Sequence, residues 1–193
     1  MARSPKFDDD EILDRAMSVL WHRGWARTSI RDLEEALEIK APSIHRRFGS
    51  KEGLAVAAID HYVDRVVGGR VAKYLPGEGD PIENVTRFLR TSVSEPDYGG
   101  QLRGCLITTT TLEASTLDPA LDDALGRGLA AIETGLRHEL ERAEESGQLA
   151  AGIDAEQATA TMVLVMQGLM ALARSGSSDA LLQQADAAVA TIT

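Results

Sequence analysis

The chain is poor in the residues that several kinds of chemistry and architecture require. One cysteine among 193 residues excludes an internal disulfide framework and is compatible with a reducing compartment. None of the four histidines stands at metal-ligand spacing with another histidine or with the cysteine, so we expect no metal site. No glycine-rich phosphate loop follows a strand pattern, and no cofactor is predicted. These absences argue against an enzyme.

Long apolar runs are also missing. The first residues, MARSPKFDDDE, lack the apolar core of a secretory signal, and no run approaches the length of a membrane span. We therefore expect a soluble protein that works in the cytoplasm and has no membrane partner.

Helical periodicity extends over almost the whole sequence, and no sustained alternation of apolar and polar residues predicts a strand. A first helix is expected after the acidic residues 8–10, with Gly24 at its end. Ser50 can cap a further helix over residues 51–74, which the glycine pair at 68–69 weakens. The N-terminal part is therefore predicted to be helical.

The remainder follows the same pattern. Residues 75–81 form the clearest boundary. At its end, Asp80, Pro81 and Glu83 predict a helix start with a capping box. A second break covers residues 95–100. Further helices are then expected over residues 102–115, 119–146, 154–174 and 181–192. The predicted fold is all-α with about nine helices, a three-helix unit joined through the fourth helix to a bundle.

Charge is distributed unevenly along the chain. The formal net charge is −10, but residues 1–75 carry +1 and residues 76–193 carry −11. The acidic part would repel a polyanion, so any contact with nucleic acid must be confined to the N-terminal end.

Residues 28–51, TSIRDLEEALEIKAPSIHRRFGSK, are the most informative stretch. They predict two short helices joined by a tight turn, the first of which Thr28 or Ser29 can cap. The second keeps Ile44 and Phe48 on one side and carries hydrogen-bond donors and small residues, without a carboxylate, on the other. Such a surface suits the floor of a DNA major groove.

Two segments, GWARTSIRDL (24–33) and IKAPSIHRRFGSKEGL (39–54), resemble the N-terminal signature of TetR-family transcriptional regulators. The resemblance covers roughly residues 10–60. The segment Arg103-Gly104-Cys105-Leu106 is similar, more loosely, to one ligand-binding branch of the family. The resemblance implies a helix-turn-helix DNA-binding domain over residues 1–50 and a helical ligand-binding and dimerisation domain over residues 51–193.

The resemblance also implies roles for individual residues. Those expected to hold phosphates are Thr28, Ser29, His45, Arg47 and Lys51. Those expected to face base edges are Lys40, Ala41, Pro42, Ser43 and Arg46. Two positions depart from the family pattern: Glu38 replaces the usual turn glycine, and His45 replaces the usual aromatic residue. A glutamate at positive φ costs about 1 kcal/mol.

The family resemblance further implies a homodimer that reads a palindromic operator and is released by a small molecule. The last two helices are the expected interface, because residues 158–173 are apolar nearly all round and include small side chains. Burial of that helix within one chain is the alternative. Repression is the commoner mode in the family, and activation stays open, as do the effector and the operator sequence.

An effector site is suggested only indirectly by the residues. Met162, Met166 and Met170 share one helix face, and methionine is a pliable pocket lining, although core packing is the better explanation from position alone. The other residues expected near the ligand are Phe88, Cys105, Thr108, Leu112 and Gln167. Few charges fall on inward faces, so a mostly apolar ligand with one or two polar anchors is expected.

Two further features carry open alternatives. The run Thr108–Thr111 weakens a helix, and either transmits ligand occupancy to the helix bearing Tyr62 or is simply held by packing. Cys105 is either a small buried residue or a redox sensor.

A helical ligand-binding or protein-docking dimer without DNA binding is the alternative to a DNA-binding regulator. Glu38 and His45, the two departures from the family pattern, keep this alternative open.

Overall fold

The computed structural model describes residues 8–95, 104–113, 118–173 and 178–193, and in these segments it contains helices and no strand. The helices are α1 (Asp9–Arg23), α2 (Ile30–Leu37), α3 (Ala41–Phe48), α4 (Lys51–Tyr62), α5 (Gly68–Tyr74), α6 (Pro81–Ser94), α7 (Leu106–Glu113), α8 (Pro119–Glu145), α9 (Ala155–Leu172) and α10 (Ser178–Val189). A π-helical turn, Val63–Val67, joins α4 to α5. These last three segments form one continuous rod, which gives nine helical rods in the described part and confirms the predicted all-α fold.

Helices α1 to α3 form the head of the molecule and pack on the first part of α4. Their contact surface is made by Ile12 on α1, Leu33 and Leu37 on α2, Ile44 on α3 and Leu54 on α4, all inaccessible to solvent or nearly so. Five aliphatic side chains from four helices therefore fix the position of the short helix α3, which could not stay folded alone.

Most of the predicted helix starts are confirmed. Asp8 caps α1, Ser29 caps α2 and Ser50 caps α4, each accepting a hydrogen bond from a backbone N–H three residues on. The capping box predicted at the start of α6 is wrong in one half. Asp80 accepts from the N–H of Glu83, but the Glu83 side chain pairs with Arg87 one turn later.

The turn between α2 and α3 contains the one non-glycine residue with positive φ in the described part of the chain. Glu38 lies in the left-handed region at φ 54°, ψ 28°, the conformation for which the resembling family usually has a glycine at this position. Arg15 of α1 partly compensates for the strain, because it donates to Glu38 Oε1 at 3.3 Å and to the carbonyl of Ala36 at 3.4 Å.

We expect Glu38→Gly to raise the free energy of unfolding by about 1 kcal/mol, because glycine adopts this conformation without steric cost. Glu38→Gln is the matched control, since it removes the carboxylate facing Arg15 and keeps the backbone strain. Urea unfolding followed by circular dichroism measures both. Equal stability of the two variants would contradict the strain argument.

The predicted single helix over residues 51–74 is interrupted by the π-helical turn. The interruption immediately precedes the glycine pair that weakens the sequence pattern, and Gly68 and Gly69 then form the first turn of α5. π-Helical turns inside α-helices are frequent at functional positions. Here the turn lies on the rod that connects the head to the rest of the molecule.

Helices α5 to α10 form the body. Its centre is α8, which packs on α4, α6 and α9, while α10 packs on α6 and α9. The connection between α5 and α6 is fastened to α8 by the fully buried carboxylate of Glu139, which accepts from the N–H of Gly77 at 2.7 Å and from Asn84 Nδ2 at 3.2 Å. Arg142 neutralises this carboxylate at 2.5 Å. Three donors therefore compensate for the cost of removing this carboxylate from water.

Some expected features lie outside the described residues. They are Leu102, Arg103, Ser115, Arg174 and residues 96–100 of the second break. In the parts that are described, no helix is both long enough and apolar enough to span a bilayer.

Candidate nucleic-acid interface and effector site

Helix α3 packs against the head with one side and exposes the other side to solvent. Ile44 has no exposed surface, whereas Lys40, Pro42 and Arg46 are exposed and Ser43 is partly exposed. Of the five residues that the resemblance assigns to base edges, three are therefore exposed, and Ser43 and Ala41 are partly exposed. The side chains that would read a groove are therefore accessible from solvent.

The start of α3 is fixed by a carboxylate from the preceding helix. Glu34 of α2 accepts a hydrogen bond from the N–H of Ala41 at 2.7 Å, while the N-cap residue Lys40 makes no side-chain cap. A negative group at a helix N-terminus is favoured by the free N–H groups and the helix dipole. Glu34 thus links α2 to the start of α3, and this contact was not predicted from the sequence.

Two cations assigned to phosphates are already oriented in the free protein. The Lys51 ammonium lies 3.9 Å from the centre of the Trp25 ring, a cation–π contact at the start of α4. Arg47 Nη2 lies 2.5 Å from Asp9 Oδ1. The side chain of Asp9 is 70% exposed, so this pair is weak in water and a phosphate can replace it.

Ser29 and Thr28 differ in what they can offer to a phosphate. The Ser29 hydroxyl and its backbone N–H both donate to Asp32 Oδ2, at 2.6 and 2.8 Å. These two hydrogen bonds, with the charge of Arg23, hold the pKa of the Asp32 carboxyl below its usual range. The stabilisation by this capping box is therefore present above the ordinary carboxyl pKa and is lost as the pH falls through the lowered value. Thr28 is buried, and its hydroxyl donates to the carbonyl of Gly24 at 2.6 Å.

His45 is exposed near the end of α3, and one ring nitrogen is already in use. Nδ1 lies 3.1 Å from the carbonyl oxygen of Gly49, which can only accept, so this contact is a hydrogen bond when Nδ1 carries a proton. Unlike a tyrosine, His45 has a second ring nitrogen, Nε2, whose role as donor or acceptor depends on the tautomer.

The residues expected near an effector fall into two groups. Phe88, Cys105, Thr108, Met162, Met166 and Met170 are buried, and Gln167 is partly exposed. Thr108 and Gln167 meet directly, with the hydroxyl of Thr108 donating to Gln167 Oε1 at 2.6 Å. Leu112 lies apart, because 70% of its side chain is exposed on the outer surface of α7. An exposed side chain does not line an interior site, so in this structure Leu112 belongs to the surface.

The N-terminal end of α7 contacts the head. Trp21 of α1 donates from Nε1 to the carbonyl of Gly104 at 3.2 Å, and its ring packs edge-on against Tyr62 with 5.0 Å between ring centres. Burial, followed by the nearby Cys105, raises the pKa of the Tyr62 phenol well above its usual value. The hydroxyl thus stays protonated, and it donates to Cys105 Sγ at 3.5 Å.

The C-terminal end of α7 also contacts the head. Glu113 Oε2 accepts from the N–H of Ala26 at 3.4 Å. A Cβ placed on Gly24 would lie 2.1 Å from Glu113 Oε1, so the carboxylate occupies the space that a side chain at residue 24 would fill. Helix α7 therefore touches the α1–α2 connection as well as α1 and α4. Both of its ends join the body to the head.

Helix α9 is not covered on all sides. Leu164 is 73% exposed and Leu172 is 50% exposed, and the small residues between them are exposed as well. In α10, the exposed residues include Gln183, Gln184 and Ala187. We call the exposed side chains of these two helices the α9/α10 face, a surface of leucine, small and amide side chains that a single chain leaves open.

Several of these residues could not be identified from local patterns. Glu34 and Glu113 are ordinary helix-surface carboxylates in the sequence, and Asp9 is one of three consecutive aspartates. Their partners are 7, 87 and 38 positions away, respectively. The contact between Trp25 and Lys51 was not predicted either. A clue was present only for Trp25, since an aromatic residue beside a cationic segment often supports a cation.

Comparisons with known proteins agree with this architecture. Residues 12–58 match the family model for bacterial regulatory proteins of the tetR family, and residues 81–189 match the tetracyclin repressor-like C-terminal domain. The HTH-type transcriptional repressor ComR of Escherichia coli is 29% identical over 178 residues, which cover 91% of this chain and 84% of that protein.

Solved structures give the same result. A cysteine mutant of the TetR-family transcriptional regulator CifR, complexed with a 26-bp double-strand operator DNA, is 32% identical with a TM-score of 0.86 and full coverage of both chains. The reduced form of NemR from E. coli is 20% identical with a TM-score of 0.80, covering 97% of this chain and 98% of that one, and it shares the fold. Because the two family models together span most of the chain, this protein belongs to the TetR family of bacterial transcriptional regulators.

Proposed function

We infer that the protein is a homodimeric transcriptional repressor that binds a palindromic operator through α3 and releases it when a small, mostly apolar effector occupies the body. The observation that carries this inference is the two-sided character of α3: Ile44 is fully buried while Arg46, Pro42 and Lys40 remain exposed. The likeness to CifR, whose structure holds operator DNA, supports it over the whole chain.

The expected contacts separate into base reading and phosphate binding. Arg46 can donate both of its guanidinium ends to a guanine, and Ala41 and Pro42 can contact a thymine methyl group. Lys51 and Arg47 can neutralise phosphates, with the free N–H groups at the start of α4 adding to the field at Lys51. The body carries the negative charge and faces away from the duplex in this arrangement.

The α9/α10 face is the proposed dimer interface. One head makes too few contacts for a specific site, whereas two heads related by a two-fold axis can read half-sites about 34–36 Å apart. Exposed Leu164 and Leu172, with small residues between them, suit close packing of two α9 helices.

We propose that α7 transmits effector binding from the body to the head, and that this movement releases the operator. This helix bonds to α9 through Thr108 and Gln167, and it touches the head at Trp21 and at the turn that contains Gly24 and Ala26. An effector that binds between α7 and α9 would therefore shift both anchor points of the head. It lowers operator affinity to the extent that it prefers the shifted state.

Two further parts of the proposal concern organisation and location. We place the domain division at residues 50 and 51, although α4 packs on both α1 and α8 and bridges the two parts. A regulator that binds operator DNA works beside the chromosome, so the cytoplasm is the proposed location.

Alanine variants of the two kinds of contact test the proposal. We expect Arg46→Ala to weaken operator binding by about 1–3 kcal/mol per half-site and to relax discrimination at one base pair. Lys51→Ala should weaken binding to all sequences alike and reduce the slope of log K against log salt by about 1 for each phosphate that the protein no longer neutralises. Fluorescence anisotropy with specific and scrambled duplexes measures both effects.

Arg137→Ala is the matched control, because Arg137 is an exposed arginine on α8 that pairs with Glu133. It should leave operator affinity unchanged. If Arg46→Ala behaved like Arg137→Ala, α3 would not be the reading element, and the proposed function would lose its main support.

A further inference from the structure

Gln167 contains a buried hydrogen-bond donor without a partner. Its Oε1 accepts from Thr108 Oγ1 at 2.6 Å, but its Nε2 is inaccessible to solvent and has no hydrogen-bond partner. Among the described residues, this is the one buried side-chain nitrogen or oxygen left unpaired. The unpaired atom thus lies at the contact between α7 and α9, where the effector is proposed to bind.

An unpaired buried donor lowers the stability of the unliganded protein. An apolar side chain of similar shape would fill the same space without the desolvation cost, so packing alone does not explain an amide at this position. Buried polar groups that are left unsatisfied are expected where a ligand supplies the missing partner.

The surroundings of Gln167 restrict the ligand. Between Leu106 and Leu112 on α7 no residue carries an ionisable side chain, and on α9 the one charged residue is Glu156 in the first turn. Thr108, Thr109 and Thr110 are buried on α7, and Met166 and Met170 are buried on α9. Glu113 ends α7 at its contact with Ala26 of the head, and Glu156 stands eleven residues before Gln167. A charged ligand would therefore find no counter-charge on the residues next to Thr108 and Gln167, whereas a neutral one finds apolar walls and a free N–H.

We propose that Gln167, held by Thr108, is the polar anchor of the effector site and that the effector is an uncharged, mainly apolar molecule whose carbonyl oxygen accepts a hydrogen bond from Gln167 Nε2. This inference rests on the proposed function and specifies its ligand. Because Nε2 is enclosed in the unliganded protein, the ligand reaches it only when α7 and α9 rearrange. The ligand therefore prefers the rearranged state, which is the condition for a ligand to shift the equilibrium.

The first test uses the unliganded protein. Gln167→Met keeps the length of the side chain and removes the donor, so the variant should melt at a higher temperature than the unaltered protein. Gln157→Met is the matched control on the exposed side of the same helix and should not change the melting temperature. A lower melting temperature for Gln167→Met would show that the amide supports packing, and it would overturn the proposal.

The second test uses three methyl ketones that differ in their apolar part: 2-heptanone, 2-nonanone and 4-phenyl-2-butanone. Each is compared with the hydrocarbon in which CH₂ replaces the carbonyl. We expect the best ketone to bind the unaltered protein about ten times more tightly than its hydrocarbon, by thermal shift and by displacement of operator DNA. Gln167→Met should remove this difference. Thr108→Val, which no longer holds the amide, should reduce it.

A spectroscopic measurement supplements the affinities. The side-chain NH₂ signals of Gln167 are assigned by their absence in Gln167→Met, and the bound ketone should shift one of them downfield. Equal binding of ketones and hydrocarbons, or an unchanged preference in Gln167→Met, would overturn the proposal. If operator binding itself were absent, the proposed function would fail; if operator binding and release persisted without the carbonyl preference, only the anchor would be wrong.

Discussion

Leu164→Glu should convert the protein from a dimer to a monomer and lower its operator affinity by about 100-fold or more. Leu164 is the most exposed large apolar residue in the described chain, and it lies at the middle of the outer side of α9. A carboxylate placed there would have to be buried without a partner when two α9 helices pack together. A monomer has one head, so it loses the gain in operator affinity that a dimer obtains when its second head binds after the first.

Sedimentation velocity measures the first effect, since a monomer has a mass of 20.7 kDa and a dimer twice that. Ala130→Glu, on the exposed side of α8, is the control, because it introduces the same charge outside the proposed interface. It should remain a dimer and keep its operator affinity. A dimeric Leu164→Glu protein would show that another surface pairs the subunits.

Gly53→Ala should disrupt the junction between α3 and α4. A Cβ at residue 53 would lie 2.0 Å from the carbonyl oxygen of Phe48, the last residue of α3. The obstacle is a backbone atom and cannot move as a side-chain end would, so α3 and the first turn of α4 must separate. We expect a loss of about 1–3 kcal/mol in the free energy of unfolding. Operator affinity should fall by about 10-fold or more, because Lys51 and α3 lose their relative positions.

Gly69→Ala is the matched control for this prediction. Gly69 is also helical, but a Cβ there would meet no atom within 4 Å. Alanine at that position should raise stability by about 0.5–1 kcal/mol and leave operator affinity unchanged. Urea unfolding and anisotropy compare the two variants. Unchanged operator binding in Gly53→Ala would mean that the α3–α4 junction tolerates displacement.

The position of α3 could be predicted because its signals are local. Ser29 and Ser50 lie directly before the helices they cap, and Ile44 stands at the spacing that turns it toward Leu33 and Leu37. Such contacts are decided within a few residues, where sequence patterns are informative. The turn at Glu38–Lys40 was predicted from its place between two helices, whereas the strain at Glu38 was suggested by the glycine that the resembling family usually has there.

The long-range contacts that hold α3 in place could not be predicted, because they depend on the angles between helices. Whether Glu34 reaches the N–H of Ala41 follows from how α2 meets α3, and the sequence does not specify that angle. The π-helical turn was missed for a related reason. The pattern over residues 51–74 is continuously helical, and the glycine pair indicated a weak point without indicating which way the backbone adjusts.

The body, with its proposed effector site, was the least predictable part. Thr108 and Gln167 are 59 residues apart, and their hydrogen bond exists only because α7 packs on α9. The three methionines were assigned to one face correctly, and all are buried, yet burial alone does not distinguish a ligand site from a core. The sequence pattern grouped Leu112 with them, and only the packing of α7 shows that it points outward.

Selection of duplexes from a random library by the full-length protein tests the central claim most directly. The claim is that two copies of α3 read successive major grooves of one duplex. We predict enrichment of a nearly palindromic sequence whose half-sites are centred about 10–10.5 base pairs apart. Binding to that sequence should weaken steeply with salt, and Arg46→Ala should lose the preference at one position in each half. Recovery of no common sequence, or of a single half-site bound as tightly as the pair, would contradict it.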